Sequence, residues 1–219
     1  MSRAVIRDSL SISIAVGTYG AAFGVASVTA GLSIAQTCAL SLLLFSGASQ
    51  FAVAGVLGAG GSAMSAIAAS ALLALRNGFY GARMAPVLQV RGFKRLLAAQ
   101  ITIDESTAVA LAHEEKSASD ARKGFWLTGG GIYLFWNLAT LLGALGANSL
   151  GDPAQWGLDA TIPAAFLGLL WPRLKSSISR LVALAAICLA LLLTPFLSPG
   201  LPIIACVLIP IIAGWRVRT

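Results

Sequence analysis

The chain has 219 residues, of which 58% are hydrophobic and only 11% charged, whereas an ordinary soluble domain carries about 25% charged residues. So few charges cannot clothe a water-facing surface of this size, which excludes a soluble globular domain and leaves lipid as the solvent for most of the exterior. The net charge of +7 does not mark a nucleic-acid binder, because the basic residues lie between apolar stretches instead of along one helix face or in a tail; they read as cytoplasmic anchors.

Arg3 and Arg7 precede an apolar run from about residue 10 to 30. That run is long enough to cross a bilayer and reads as a retained first helix, not a cleaved leader. Further apolar segments fall at about 34–60, 63–88, 127–148, 158–172, 180–197 and 201–215, and a weaker eighth at about 96–112 contains Asp104 and Glu105. The fold expected is all-α, a polytopic transmembrane bundle of seven to eight segments. It forms one membrane domain over 1–219, with halves of about 1–115 and 122–219.

The positive-inside rule orients the second half. Arg122 with Lys123, then Arg173, Lys175 and Arg180, then Arg216 and Arg218 alternate with segment pairs and belong on the cytoplasmic side. With Arg3 and Arg7 also inside, both termini are cytoplasmic in an inner membrane of bacterial type. Three crossings in the first half would put Arg122 and Lys123 outside, so an eighth crossing at 96–112 is adopted, at the expense of leaving Arg91, Lys94 and Arg95 outside; a re-entrant second segment is the alternative. Trp126, Trp156, Trp171 and Trp215 stand at segment boundaries, where the indole prefers the headgroup layer, and Trp136 is the exception. Cys38, Cys188 and Cys206 lie inside apolar stretches without a CxxC and read as small buried hydrophobes, so no disulfide, metal site or cofactor is expected.

Polar groups at bilayer depth are expensive, roughly 2.5 to 3.5 kcal/mol for an Asp, Lys or Arg at a helix centre on insertion scales, so their positions point to a pathway. Ser46, Gly47, Ser49, Gln50 and Phe51 lie mid-segment in Phe-Ser-Gly-Ala-Ser-Gln-Phe. Gly47 is a natural place for the helix to loosen and present backbone groups to a solute; packing by small residues is the plainer reading. In Leu-Arg-Asn-Gly-Phe-Tyr-Gly, Arg76 and Asn77 lie two-thirds along an apolar segment. Arg76 there either pairs with a carboxylate or snorkels from a segment that ends near Leu75. Asp104 and Glu105 are proton carriers or partners of Arg76 if their run is buried, and a solvated face if it is not. Asp159, Pro163 and Phe166 open a short apolar run, where Pro163 removes a backbone donor and Asp159 is either a proton carrier or a helix cap. Breaks in the second segment of each half are the sequence pointer to a transporter's central site. His113, beside Glu114 and Glu115 at a segment end, reads as a solvated interface residue.

These motifs, in this order, resemble the AzlC family, the large subunit of branched-chain amino-acid exporters. The resemblance runs from the Gly-rich first helix, with Gly17, Gly20 and Gly24, to the motif from Asp159 to Phe166. It implies proton-driven export of valine, leucine, isoleucine or analogues, together with a small hydrophobic AzlD-type subunit. Gly78 departs from it, since the family usually carries a basic or aromatic residue there.

The reading carried forward is a secondary transporter. Ser46, Gly47, Ser49, Gln50, Phe51, Arg76, Asn77, Pro163 and Phe166 bind substrate, with Ala52, Ala164 and Ala165 receiving the branched side chain. Asp104, Glu105 and Asp159 carry the coupling proton. The alternative is a passive channel for a small polar solute. An enzyme lacks support, because His113 is the chain's one histidine and stands far along the chain from Ser46 and Ser49.

Overall fold

The computed structural model describes residues 2–115, 117–149, 155, 160–171 and 174–217, and its regular elements there are all helices. Helix α1 (Arg3–Gly17) runs into α2 (Tyr19–Thr29) through a helical Thr18, giving a 27-residue apolar stretch long enough to cross a membrane. A second stretch of that kind, 30 residues from Ala118 to Ala147, lies in α8 (Ala118–Ser149). Several shorter apolar helices accompany them. The all-helical, apolar build expected of a membrane protein is present, with two helical stretches long and apolar enough to cross a membrane among the described residues.

The two long stretches pack side by side. Every fourth residue of α1 from Val5, namely Ser9, Ser13 and Gly17, is buried, which is one stripe of a helix. The stripe continues as Gly20 and Gly24 on α2, and here glycine is needed: a Cβ on Gly20 would strike the Trp136 carbonyl, and one on Gly24 the Thr140 carbonyl. In lipid, apolar burial gives no net drive for helices to associate, so close backbone approach and short polar links do the joining. Ser13 Oγ accordingly donates to the Thr128 carbonyl at 3.3 Å.

Helix α3 (Ile34–Leu43) opens with a reciprocal cap between Ser33 and Gln36 and is tied to the long pair by two buried hydroxyl contacts, Ser27 to Thr37 at 2.8 Å and Ser41 to Thr140 at 3.3 Å. The helix stops at Leu43 and restarts as α4 (Gly47–Gly58), so the second apolar segment is interrupted where the sequence suggested, with Gly47 the first residue past the break. Helix α5 (Ala63–Leu88) continues well beyond Leu75, which makes Arg76 a mid-helix residue and not a terminal one. The stretch expected at 96–112 is a second interrupted pair, α6 (Phe93–Gln100) and α7 (Asp104–Glu114). Helix α7 and the joint pack inside the bundle, where Ile101, Ile103, Val109 and Ala110 are buried, whereas α6 buries only Ala98 and leaves Phe93 and Leu96 exposed.

The remaining helices are α9 (Thr161–Leu170), α10 (Ser177–Leu193), α11 (Leu201–Ala205) and α12 (Leu208–Val217). Two expectations are corrected. Pro163 interrupts nothing: it stands in the first turn of α9, where a missing N–H breaks no intrahelical bond. His113 is not solvated: it is 7% exposed, with Nε2 3.2 Å from the Asp8 carboxylate on α1.

Candidate functional site

Both helix breaks border one cavity of about 350 Å³. Its polar wall holds Ser46, Gly47 and Ala48 at the start of α4, Arg76 from α5, and Asp104 and Glu105 at the start of α7. Its apolar wall holds Phe45, Phe51, Leu73, Ile103, Ile132, Trp136 and Phe166, with Val16, Tyr19, Gly168 and Leu170 completing the lining.

The first break is asymmetric in its hydrogen bonding. The end of α3 is well supplied with donors: Gln100 Nε2 donates to the Leu42 carbonyl at 2.9 Å, Tyr133 Oη to the same oxygen at 3.1 Å, and Gln50 Nε2 to the Leu44 carbonyl at 2.6 Å. The start of α4 has no such support. Ser46 stands in extended backbone before it without capping it by side chain, since its hydroxyl meets Ser49 Oγ at 3.0 Å instead. The N–H groups of Gly47, Ala48 and Ser49 have no acceptor within the helix, and with the helix dipole behind them they favour an anionic group in the cavity.

The second break is closed from within. Ser106 Oγ accepts from the Ile103 N–H at 3.0 Å and donates to the Ile101 carbonyl at 2.8 Å. That turn sets Asp104 opposite Arg76, whose Nη1 donates to Asp104 Oδ2 at 3.0 Å. The side chains are 32% and 18% exposed, so the pair is screened far less than a surface ion pair. Arg76 Nε and Asn77 Oδ1 beside it are buried without a hydrogen-bond partner.

Of the residues expected to form the site, the structure brings Ser46, Gly47, Phe51, Arg76, Asp104, Glu105 and Phe166 to the cavity. Ser49, Gln50, Asn77 and Pro163 are not part of its lining. Gln50 is fully buried and committed on both sides, to the Leu44 carbonyl and to the Trp136 indole, and Ser49 Oγ donates to the Ser70 carbonyl at 3.1 Å. Ala52 is buried in a cluster with Ala66 and Ala69 on α5, and Ala164 is exposed. Asp159 and the side chain of Ala165 lie outside what the structure describes.

Sequence reasoning missed the residues that shape the apolar wall and the joint: Ile103, Ile132, Leu73, Tyr133, Gln100 and Trp136. Only Trp136 carried a signal, as the tryptophan away from a segment boundary. The others are ordinary apolar or helical residues by sequence, and their placement depends on how separate helices pack.

The family model described as AzlC protein matches residues 11–150. A curated protein of Archaeoglobus fulgidus described as an uncharacterized membrane protein is 35% identical over 198 residues, covering 88% of this chain and 85% of that one. No solved structure matches. The matched stretch contains both breaks, Arg76 and the acidic pair, and ends before Pro163 and Phe166.

Proposed function

The chain belongs to the AzlC family and is a membrane protein with a transport-related role, and from that premise we propose that it is a secondary transporter exporting branched-chain amino acids or close analogues across an inner membrane. The observation that carries the reading is the composition of the cavity: an open helix start and a cation–carboxylate pair together with a large apolar lining.

A zwitterion with a branched aliphatic side chain matches each part. Its carboxylate is drawn to the open N–H groups of Gly47 and Ala48 and to the Arg76 guanidinium. Its ammonium is drawn to Asp104 and Glu105. The side chain packs against Phe51, Phe166, Leu73 and Ile103, which take the place first given to Ala52, Ala164 and Ala165. A cavity of 350 Å³ lies within the range of about 300 to 1,000 Å³ usual for small-molecule sites.

Proton coupling follows from the same groups in this reading. A carboxyl at the cavity that alternates between binding a proton and binding the substrate ammonium exchanges one for the other, which is antiport. Asp104 and Glu105 serve this role, with Asp159 a further carrier, and a small AzlD-type subunit completes the transporter. Both termini face the cytoplasm.

The test is flux. Inside-out vesicles containing the chain with a small partner subunit are energised with a pH gradient, and uptake of labelled leucine is followed with the gradient present and collapsed. Gradient-driven uptake in the wild type, reduced at least about tenfold in Asp104→Asn and Arg76→Gln, is the expected result. Uptake indifferent to the pH gradient would instead make the chain a passive channel, and no uptake above empty vesicles would overturn the leucine assignment.

A further inference from the structure

Trp136 occupies a position that neither a boundary anchor nor a simple wall residue explains. It lies in the middle of α8, is 5% exposed, and its indole Nε1 donates to Gln50 Oε1 at 2.9 Å. Gln50, on the first turn of α4, passes the connection on by donating from Nε2 to the Leu44 carbonyl at 2.6 Å. Two hydrogen bonds in series therefore span the break between α3 and α4 and fasten both of its sides to α8.

The two ends of this connection differ in rigidity. At Trp136 the α8 backbone is in contact with the α2 backbone through Gly20, and the indole stacks on Phe23 with ring centroids 6.5 Å apart and planes 23° apart. The indole is thus held on the close-packed seam between α2 and α8. Leu44 to Ser46, by contrast, is non-helical chain between two helix ends. The ring also lies against Gly47: a Cβ there would stand 2.9 Å from Trp136 Cη2, so the indole covers the first residue of α4 on one side and the cavity on the other.

We propose that Trp136 is a positioning residue, a latch that fixes the angle of the α4 start relative to α8 through Gln50, and so sets how the open N–H groups of Gly47 and Ala48 are presented to the cavity. For α4 to swing, the indole–amide bond must part or Gln50 must release Leu44. Either event leaves one end of a fully buried amide without its partner, which opposes partial movement and favours two distinct positions over a continuum. The consequence for transport, that Trp136 links the occupied cavity to the movement of α4, rests on the transporter reading above. The latch itself does not.

Two measurements keep those statements separate. The first needs no substrate: hydrogen–deuterium exchange of the detergent-solubilised chain, wild type against Trp136→Phe, which keeps a ring but removes the donor. In peptides covering 44–50, the hydrogen-bonded amides of Leu44, Ser46 and Gln50 should exchange at least about fivefold faster, the factor that corresponds to one lost hydrogen bond, while peptides from the middle of α8 stay protected. Unchanged exchange at 44–50, or an equal rise everywhere, would overturn the latch.

The second compares melting temperature with leucine flux in Trp136→Phe and in Trp136→Phe with Gln50→Leu. The double variant removes the orphaned amide, so its melting temperature should recover toward wild type while flux stays low, through a raised KM for leucine. Recovery of flux together with the melting temperature would show that the pair only holds the fold together. Absence of flux in the wild type would count against the transporter reading, and the exchange result would still decide the latch.

Discussion

The two ends of the chain use the same apolar alphabet and build different things with it. Among the described residues, the buried hydrophobic side chains fall between Val5 and Ala147, apart from Pro202 at the start of α11. Helix α10 buries none of its residues, and Leu181, Leu184 and Leu191 stand 60% to 69% exposed. The earlier region is threaded with Gly, Ser and Thr at helix contacts, and its hydroxyls bond across helices. The later helices are rich in Leu, Ile and Ala, and the cross-helix hydrogen bond found there runs from Cys206 Sγ to the Ala186 carbonyl at 3.2 Å. Leucine is abundant where the surroundings are lipid-like, and small or hydroxylated residues are abundant where one helix must recognise another. The AzlC match over residues 11–150 coincides with the recognising region.

The sharpest way to break this contrast is to add volume in each region. Gly24→Leu puts a side chain into the Thr140 carbonyl, with backbone on both sides and no flexible neighbour to yield. Loss of at least about 3 kcal/mol is expected, seen as failure to recover monodisperse protein from detergent. Gly214→Leu in α12 meets nothing within 4 Å and should leave the melting temperature unchanged or slightly raised. Equal damage from both would show that the later helices are packed as tightly as the seam.

A smaller effect is expected at the cavity, where the Arg76–Asp104 pair joins α5 to α7. Arg76→Met removes the guanidinium and should cost about 2 kcal/mol, less than for a fully buried pair because both side chains retain some exposure. A double-mutant cycle with Asp104→Leu should return a coupling of about 1 kcal/mol or more by thermal unfolding. A coupling near zero would make the pair a feature of the cavity surface without a part in joining the helices.

What was legible beforehand follows the same division. The solvent of the chain could be read from composition and the first break from Gly47, because a polar group in an apolar run is visible one residue at a time; Asp104 and Glu105 were visible in the same way as costly acids, but their run was read as one segment and its break between α6 and α7 was not foreseen. The pairing of Arg76 with Asp104 was legible as a possibility, since each needed a countercharge. Gln50 was misread in its role for a physical reason: a buried amide must be satisfied, but the sequence does not say whether a solute or a neighbouring helix satisfies it, and here Trp136 and Leu44 do. Pro163 was read as a break because proline disrupts a helix interior, and its position in a first turn depends on where α9 begins. His113 gave no sign that Asp8, far away in sequence, would meet it.

The finest test lies at the end of α5, inside the densely bonded region, where two effects of opposite sign meet at one residue. Gln89 ends that helix in the left-handed conformation, with φ of 52°, which costs a residue with a Cβ about 1 kcal/mol and a glycine much less. The same side chain accepts from Arg122 Nη2 at 3.3 Å in an exposed setting, a contact worth about 0.5 kcal/mol at most. Gln89→Gly should therefore raise stability by about 0.5 kcal/mol, the backbone term outweighing the bond. Arg122 also donates from Nε to the Val87 carbonyl at 2.8 Å, capping the last turn of α5 from α8, so Arg122→Ala alone should cost about 1 kcal/mol. In that background the Gln89 bond is already gone, and the gain from Gln89→Gly should grow toward the full backbone value. A gain that is equal in both backgrounds would mean that the Gln89–Arg122 contact contributes nothing, and that the region's stability at this point comes from the carbonyl cap alone.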